Sequence, residues 1–215
     1  MTQSLKEQVT RCGYAFVREY VPNTDTVTLA NALGKRMGGQ LVHDLVPRAT
    51  ATPNTYSGIY GLDRFPFHTD LAHWRLPPRY LLLRCVTGYP DVPTLLIDGQ
   101  TIVDAVTLHI LTRAIFKPRR PRDGVLNLLR LCEPTDDGCC FRWDEVFLKP
   151  ASRIGDIADQ CVREQLVKCE PLPFALAQGG DTLLIDNWRM LHARSPIPPE
   201  REDRKIQRIY LESLD

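Results

Sequence analysis

No apolar run in this chain approaches the roughly 18 residues that a membrane-spanning helix needs, so no membrane partner is expected. Its first residues, MTQSLKEQVTRCGY, lack the apolar stretch of a secretory signal. A cytoplasmic location is therefore expected. Charge of one sign is also missing. With 27 Lys and Arg against 26 Asp and Glu the net charge is +1, which gives no global pull toward nucleic acid or acidic membranes. No G-x-G-x-x-G or G-x-x-x-x-G-K-[ST] loop is present, so nucleotide folds lose their best support. Internal repeats and low-complexity segments are absent. The seven cysteines (12, 85, 132, 139, 140, 161 and 169) form no C-x-x-C pair and no zinc-ribbon spacing. Reduced, mostly buried thiols are the expectation, with Cys139–Cys140 a weaker redox candidate.

What is present is an ordinary globular composition, 43% hydrophobic and 25% charged, in a length suited to one domain. Residues 4–11 read as a short helix and YAFVREY (14–20) as a strand. In TDTVTLANALGKRMGG, Val27, Ala30, Leu33 and Met37 fall at helical spacing and stop at Gly38-Gly39. Short strand-like runs then dominate: SGIYGL, RFPFHTD, RYLLLRCV, CFRWDEVF, LPFALA, DTLLID and RKIQRIYLE, separated by Pro and Gly. One helix is expected over DGQTIVDAVTLHILTRAIF. Another covers IADQCVREQLVKC, with Ile157, Cys161, Leu166 and Val167 on one side. Many short strands with a few peripheral helices predict a mainly β fold, a sandwich or jelly roll. Regular strand–helix alternation, which a parallel α/β sheet needs, is missing.

Histidine is scarce, five in all, which gives PFHTDLAHW (66–74) its interest. In an extended strand side chains alternate faces, so His68 and Asp70 share one face. A third metal ligand must come from elsewhere. His43, His73 and His109 have bland readings in loops or beside apolar residues. His192 follows a Gly-Gly turn, an apolar strand and a tight DNW turn, and is placed to point into a barrel mouth. Two imidazoles and a carboxylate suit non-haem Fe(II) with open positions, or zinc with one water; the spacing does not separate the two. In the tail, EDRKIQRIYLE puts Arg204, Ile206, Arg208 and Tyr210 on one strand face and Lys205, Gln207, Ile209 and Leu211 on the other. Arginine stays charged when buried and pairs bidentately with carboxylates, so two inward arginines suggest anions to hold.

Taken together, PFHTDLAHWRLPPRYLLLRC, PDVPTLLIDG, GGDTLLIDNWRMLHARS and DRKIQR resemble, in order and spacing, the Fe(II)- and 2-oxoglutarate-dependent dioxygenases of the taurine dioxygenase and clavaminate synthase branch. The resemblance runs from about residue 56 to 212. It implies a double-stranded β-helix, the jelly-roll core at 56–212 with residues 1–55 as a helix and strand cover. It implies Fe(II) on His68, Asp70 and His192, and 2-oxoglutarate as co-substrate held by Arg204 and Thr94. It also places Arg208 where several members bind an acidic group of the substrate. The stretch before Thr94 departs from the family, with Asp91-Val92-Pro93 where Gly-Gly is frequent.

The expected activity is oxidation, chiefly hydroxylation, of a small organic substrate such as an amino-acid derivative, using O2 and releasing succinate and CO2. Two other readings use the same residues: a metal-dependent hydrolase or isomerase, and a small-molecule-binding jelly roll without turnover. Tyr56, Tyr60 and Trp74 flank the metal segment and are pocket or core candidates. The basic segment 117–122 reads as a solvated loop, with no nucleic acid expected. Oligomeric state is not legible.

Overall fold

The strand-forming runs that dominate the sequence assemble, in a computed structural model that describes residues 4–38, 42–48, 52–122, 124–136 and 138–215, into antiparallel sheets flanked by short helices. Helix α1 (Leu5–Cys12) opens on a capping box in which Ser4 and Glu7 satisfy each other's backbone N–H, and ends at Gly13. Strand β1 (Tyr14–Val17) follows. Helix α2 (Thr26–Leu33) is capped by Asp25, whose carboxylate accepts from the N–H groups of Val27 and Thr28. Next come β2 (Gly34–Arg36), β3 (His43–Leu45), α3 (Tyr56–Tyr60), β4 (Tyr80–Thr87), β5 (Thr94–Asp98), α4 (Gly99–Val106) and α5 (Leu108–Leu111). Then follow β6 (Ile115–Pro118), β7 (Leu129–Arg130), β8 (Cys132–Thr135), β9 (Gly138–Phe141), β10 (Leu148–Pro150) and α6 (Arg153–Lys168). The chain closes with β11 (Leu172–Phe174), β12 (Thr182–Asp186), β13 (Met190–Arg194) and β14 (Lys205–Leu214).

The main sheet runs β1-β12-β4-β14-β2, with β3 also on β14. A second sheet, β11-β5-β13, faces it. Period-two alternation places the layers. On β4, Leu81, Leu83 and Cys85 point between the sheets, where they meet Leu96, Met190, Ile206 and Tyr210. Leu82 points the other way, with Leu184 and Ile209, onto Val9 of α1 and Ala30 of α2. Ile97 and Leu191 face outward from the second sheet onto Ile102, Val103, Ala158 and Val162 of α4 and α6. A fully buried leucine contributes about 1.5–3 kcal/mol, so the alternation fixes register, since a slip of one residue would expose a whole stripe. Strands before residue 55 form part of the main sheet, through β1 on β12 and β2 on β14.

Several local expectations change. Helix α2 stops at Leu33, and Gly34 begins β2 rather than a further turn. Pairing with β14 overrides helical periodicity there, and a Cβ at Gly34 would collide with the Ser213 carbonyl. Gly39 lies outside the described residues. SGIYGL forms α3, capped by the Thr55 hydroxyl, rather than a strand. The single helix expected after Asp98 is two, broken at Thr107 with φ +76°. CFRWDEVF leaves the sheet after Phe141, and the Asp144 carboxylate closes the turn by accepting from Val146 and Phe147. Helix α6 buries Gly155, Ala158 and Val162, while Ile157 and Val167 are exposed. His109, expected beside apolar residues, is exposed and bonded to Arg113. Cys132 and Cys139 are joined as a disulfide across the β8–β9 hairpin, so the thiols are not all reduced.

One buried side chain ties the fold to the metal segment. Asn187, in the tight turn between β12 and β13, accepts from the Asp70 N–H (2.7 Å) and donates to the carbonyls of Asp70 (3.0 Å) and Pro78 (2.9 Å). At about 1 kcal/mol net per bond, Asn187→Ala is expected to destabilise the fold by about 3 kcal/mol, read by urea denaturation. A loss under about 0.5 kcal/mol would refute this linking role.

Candidate metal centre

RFPFHTD does not form a regular strand. Pro66 removes a donor, and the chain turns at Leu71, whose φ is +56°. One residue between them pairs: His68 and His192 exchange both backbone bonds, His68 N–H to His192 O (3.0 Å) and His192 N–H to His68 O (2.9 Å). Residues facing each other across an antiparallel pair put their side chains side by side, and the two rings lie 4.4 Å apart between centroids. On β13, period-two alternation sends Met190 and His192 toward the main sheet and Leu191 toward the helices. Asp70, two residues past His68, is delivered to the same point by the Asn187 clamp. All three are buried, and their ligand atoms lie within 4.8 Å of one another.

The two oxygens of Asp70 have separate duties. Oδ1 faces the imidazoles, 3.5 Å from His68 Nε2 and 3.4 Å from His192 Nε2. Oδ2 accepts from Tyr210 Oη (2.8 Å) and from the Arg208 guanidinium (3.0 Å). Burial pushes the Asp70 carboxyl up, but Arg208, then the two histidines, outweigh it and hold it well below its usual range. His68 Nδ1 lies 2.9 Å from the Pro66 carbonyl; donating to that oxygen fixes the tautomer that turns the Nε2 lone pair inward. Burial and its neighbour His68 pull His192 down, toward the neutral form a metal requires. A metal with bonds of about 2.1 Å sets neighbouring ligands about 3 Å apart, near the 3.5 and 3.4 Å between Asp70 and the two histidines. Burial opposes a charge on His68, but Asp70 beside it holds its pKa above the usual value, so a cation entering the site would displace a proton there. Two imidazoles and one ionised carboxylate fit a divalent cation, a donor set typical of non-haem iron.

The triad lies in a cavity of about 720 Å³ that also reaches Thr94, Arg204 and Arg208. The sequence-selected residues are thus brought to one space. Thr94 opens β5 and is buried; with no glycine before it, the turn closes by a Val92 N–H to Tyr89 O bond. Arg204 is buried and its side chain has no hydrogen bond or ion pair among the described residues; burial pushes it down to about 10. Arg208 keeps one nitrogen on Asp70, and its remaining donors stay on the cavity.

Sequence reading missed three residues here. Arg194 lines the same cavity, and burial and the charge of Arg204 push it down to about 10. Asp144 is a buried carboxylate that burial holds above its usual range; in FRWDEVF nothing in the sequence separates it from the neighbouring Glu145. Tyr210 was placed on the correct face without a role. Tyr56 stacks on His68 at 4.3 Å and lines the cavity, whereas Tyr60 stacks behind Tyr56 and Trp74 lies under Arg122.

Partners that orient a metal ligand typically influence affinity tenfold to a hundredfold. Tyr210→Phe keeps the ring and frees Oδ2 to swing, so a drop of about that size in Co(II) affinity, measured by absorption titration, is expected. Unchanged affinity and spectrum would discard the separate duties of the two oxygens.

No protein-family model matches the chain. Clavaminate synthase 2 of Streptomyces clavuligerus is 26% identical over 193 residues, covering 80% of this chain and 57% of that protein. A clavaminate synthase-like protein of Arabidopsis thaliana is 46% identical over 46 residues, 21% of this chain and 13% of that protein. Among solved structures, an asparagine oxygenase bound to Fe(II), 2S,3S-3-hydroxyasparagine and succinate has a TM-score of 0.64 at 18% identity, covering 83% of this chain and 60% of its own. The non-haem iron oxygenase OrfP, bound to iron and α-ketoglutaric acid, has a TM-score of 0.63 at 22% identity, covering 87% and 62%. The chain therefore spans less than two thirds of the length of these proteins. In sequence it is similar to clavaminate synthase 2, and in fold it matches the asparagine oxygenase and OrfP structures.

Proposed function

We propose that the chain is an Fe(II)- and 2-oxoglutarate-dependent oxygenase that hydroxylates a small amino-acid-like substrate. The observation that carries this reading is the buried His68–Asp70–His192 cluster opening onto a cavity that also contains an unpartnered, buried Arg204. The relatives are consistent with it: the asparagine oxygenase is bound to Fe(II) and succinate, and OrfP to α-ketoglutaric acid. The facing sheets are read as the double-stranded β-helix, one domain with residues 1–55 against a 56–212 core. Five free cysteines against one disulfide fit a reducing, cytoplasmic setting.

In this reading His68, Asp70 and His192 hold Fe(II), which supplies the activation of O2 when bound. Overall, O2 places one oxygen in the substrate's C–OH and the other in succinate, while the co-substrate loses CO2. Arg204, in the cavity that Thr94 and Arg194 also line, takes the distal carboxylate of 2-oxoglutarate: an anion offsets the burial of Arg204 and the repulsion it exerts on Arg194. Asp144 and the free donors of Arg208 suit the amine and acidic group of an amino-acid-like substrate. Tyr56 shields one face of His68 from water.

Anaerobic titration with Fe(II) and 2-oxoglutarate is expected to give the weak visible charge-transfer band of the chelate, and His68→Ala to abolish it. Arg204→Ala is expected to weaken 2-oxoglutarate binding about tenfold to a hundredfold, the size of a lost charged hydrogen-bond pair. Turnover without O2 or 2-oxoglutarate would instead establish the hydrolase or isomerase reading, and iron binding without any chelate band would reject the oxygenase.

A further inference from the structure

The basic segment 117–122 reads from sequence as a solvated loop, but two of its arginines stand at the cavity that contains the metal cluster. Arg119 and Arg120 line that cavity, and so does Arg48. All three are exposed, and none forms a side-chain hydrogen bond or ion pair among the described residues. Three half-buried arginines elsewhere are neutralised, Arg163 by Asp159 and Glu145, Arg189 by Asp98 and Arg201 by Asp91. The rim's own acid is already engaged, because Asp44 pairs with Lys205 (2.7 Å) and accepts from Gln207 (3.1 Å).

The segment is also held. Pro118 ends β6 in register with Leu148, the Arg119 N–H donates to the Phe147 carbonyl (2.7 Å), and Pro121 follows Arg120. Phe147 lines the cavity and meets Tyr56 edge-on at 5.2 Å, and Tyr56 stacks on His68. A continuous packed wall thus runs from the rim to the metal cluster. Charge along the lining is unbalanced, with six arginines against three aspartates. A divalent metal and a dicarboxylate co-substrate cancel each other, so adding both leaves the surplus in place. It lies at Arg48, Arg119 and Arg120, which are exposed, whereas Asp144 and the metal cluster are buried.

We propose that the rim arginines form an anion subsite, and that the substrate is an elongated amino-acid derivative with a carboxylate or phosphate-type group at the end remote from the metal. The inference rests on the oxygenase reading and names its substrate class. Guanidinium forks suit both carboxylate and phosphate oxygens, and a charged rim also draws such a substrate in.

Three probes on one lysine stem test it: ε-N-acetyl-, ε-N-succinyl- and ε-N-phosphonoacetyl-L-lysine, titrated calorimetrically into the anaerobic protein with Fe(II) and 2-oxoglutarate. At least one charged probe is expected to bind about tenfold more tightly than the acetyl probe, with an advantage that shrinks as salt rises. Which of the two gains more identifies the carboxylate or phosphate source. In R119E/R120E, with folding verified by circular dichroism, the advantage is expected to vanish or reverse while the acetyl probe binds as before. Equal binding of all three probes, no binding of any, or an advantage that survives R119E/R120E overturns the subsite. The chelate band of the wild-type protein separates the two failures: without it the oxygenase reading falls, and with it only the subsite does.

Discussion

The pair of backbone hydrogen bonds between His68 and His192 is the contact on which the site depends. These residues are far apart in the chain, and no local rule brings them together. The second sheet positions His192 through the pairing of β13 with β5, and His68 is then added as a single bridge on the free side of β13. Because that bridge is isolated, it carries little stability by itself. Its register is guaranteed from outside, by Asn187 gripping both backbone groups of Asp70 and by Thr69, whose N–H donates to the Trp143 carbonyl while its hydroxyl accepts from the Trp143 N–H. A shift of one residue would put Thr69 where Asp70 stands and leave the centre without its carboxylate.

Electrostatics completes what the backbone begins. A buried carboxylate would ordinarily favour protonation, and a protonated Asp70 would be a poor metal ligand. Arg208, followed by the two histidines, reverses that preference, and Arg208 and Tyr210, adjacent on one face of β14, occupy the oxygen that faces away from the histidines. The strand that completes the main sheet therefore also sets the charge of the metal ligand. This couples the two sheets: β14 belongs to one, His192 to the other, and Asp70 is held from both.

The long strands and the site residues were legible because both rest on period-two patterns. RYLLLRCV, DTLLID and RKIQRIYLE each alternate, or are continuously apolar, in ways that only a doubly covered sheet satisfies. The face Arg204–Ile206–Arg208–Tyr210 was readable for the same reason. Less legible were segments whose conformation is set by distant partners. Gly34–Arg36 continues a helical pattern but is taken by β14. SGIYGL has strand-like composition, yet Thr55 caps it as a helix. Thr107 breaks a helix that propensity would have continued, at a positive φ (+76°) that β-branched residues rarely adopt. Asp144 escaped because a buried acid is recognised by what surrounds it, and its neighbours Tyr56 and His68 lie elsewhere in the sequence. The Cys132–Cys139 disulfide escaped because spacing alone does not define a pairing.

Buried polar atoms in folded proteins are nearly always bonded, so those left without a partner are informative. Tyr56 Oη, His73 Nδ1, His192 Nδ1 and the Nε atoms of Arg194, Arg204 and Arg208 are all buried without one, and all six residues line the same cavity. Among the described residues Thr135 Oγ1, Arg142 Nε and Trp143 Nε1 are also buried without a partner away from this cavity, but the terminal guanidinium nitrogens of two arginines there are engaged. Arg142, fully buried, gives its guanidinium to the carbonyls of Ala72, Trp74 and Arg75, and Arg84 does the same with Tyr20, Val21 and Thr24. A chain able to sequester those two arginines had no chemical obstacle to sequestering Arg204. Leaving it bare beside Arg194 costs stability through desolvation and like-charge repulsion, and a departure from local satisfaction of that kind concentrates where a ligand completes the structure. The cavity in which Arg204 has no internal partner is the one that holds the metal cluster, which is why the proposed anionic co-substrate, rather than more protein, is its natural counterpart.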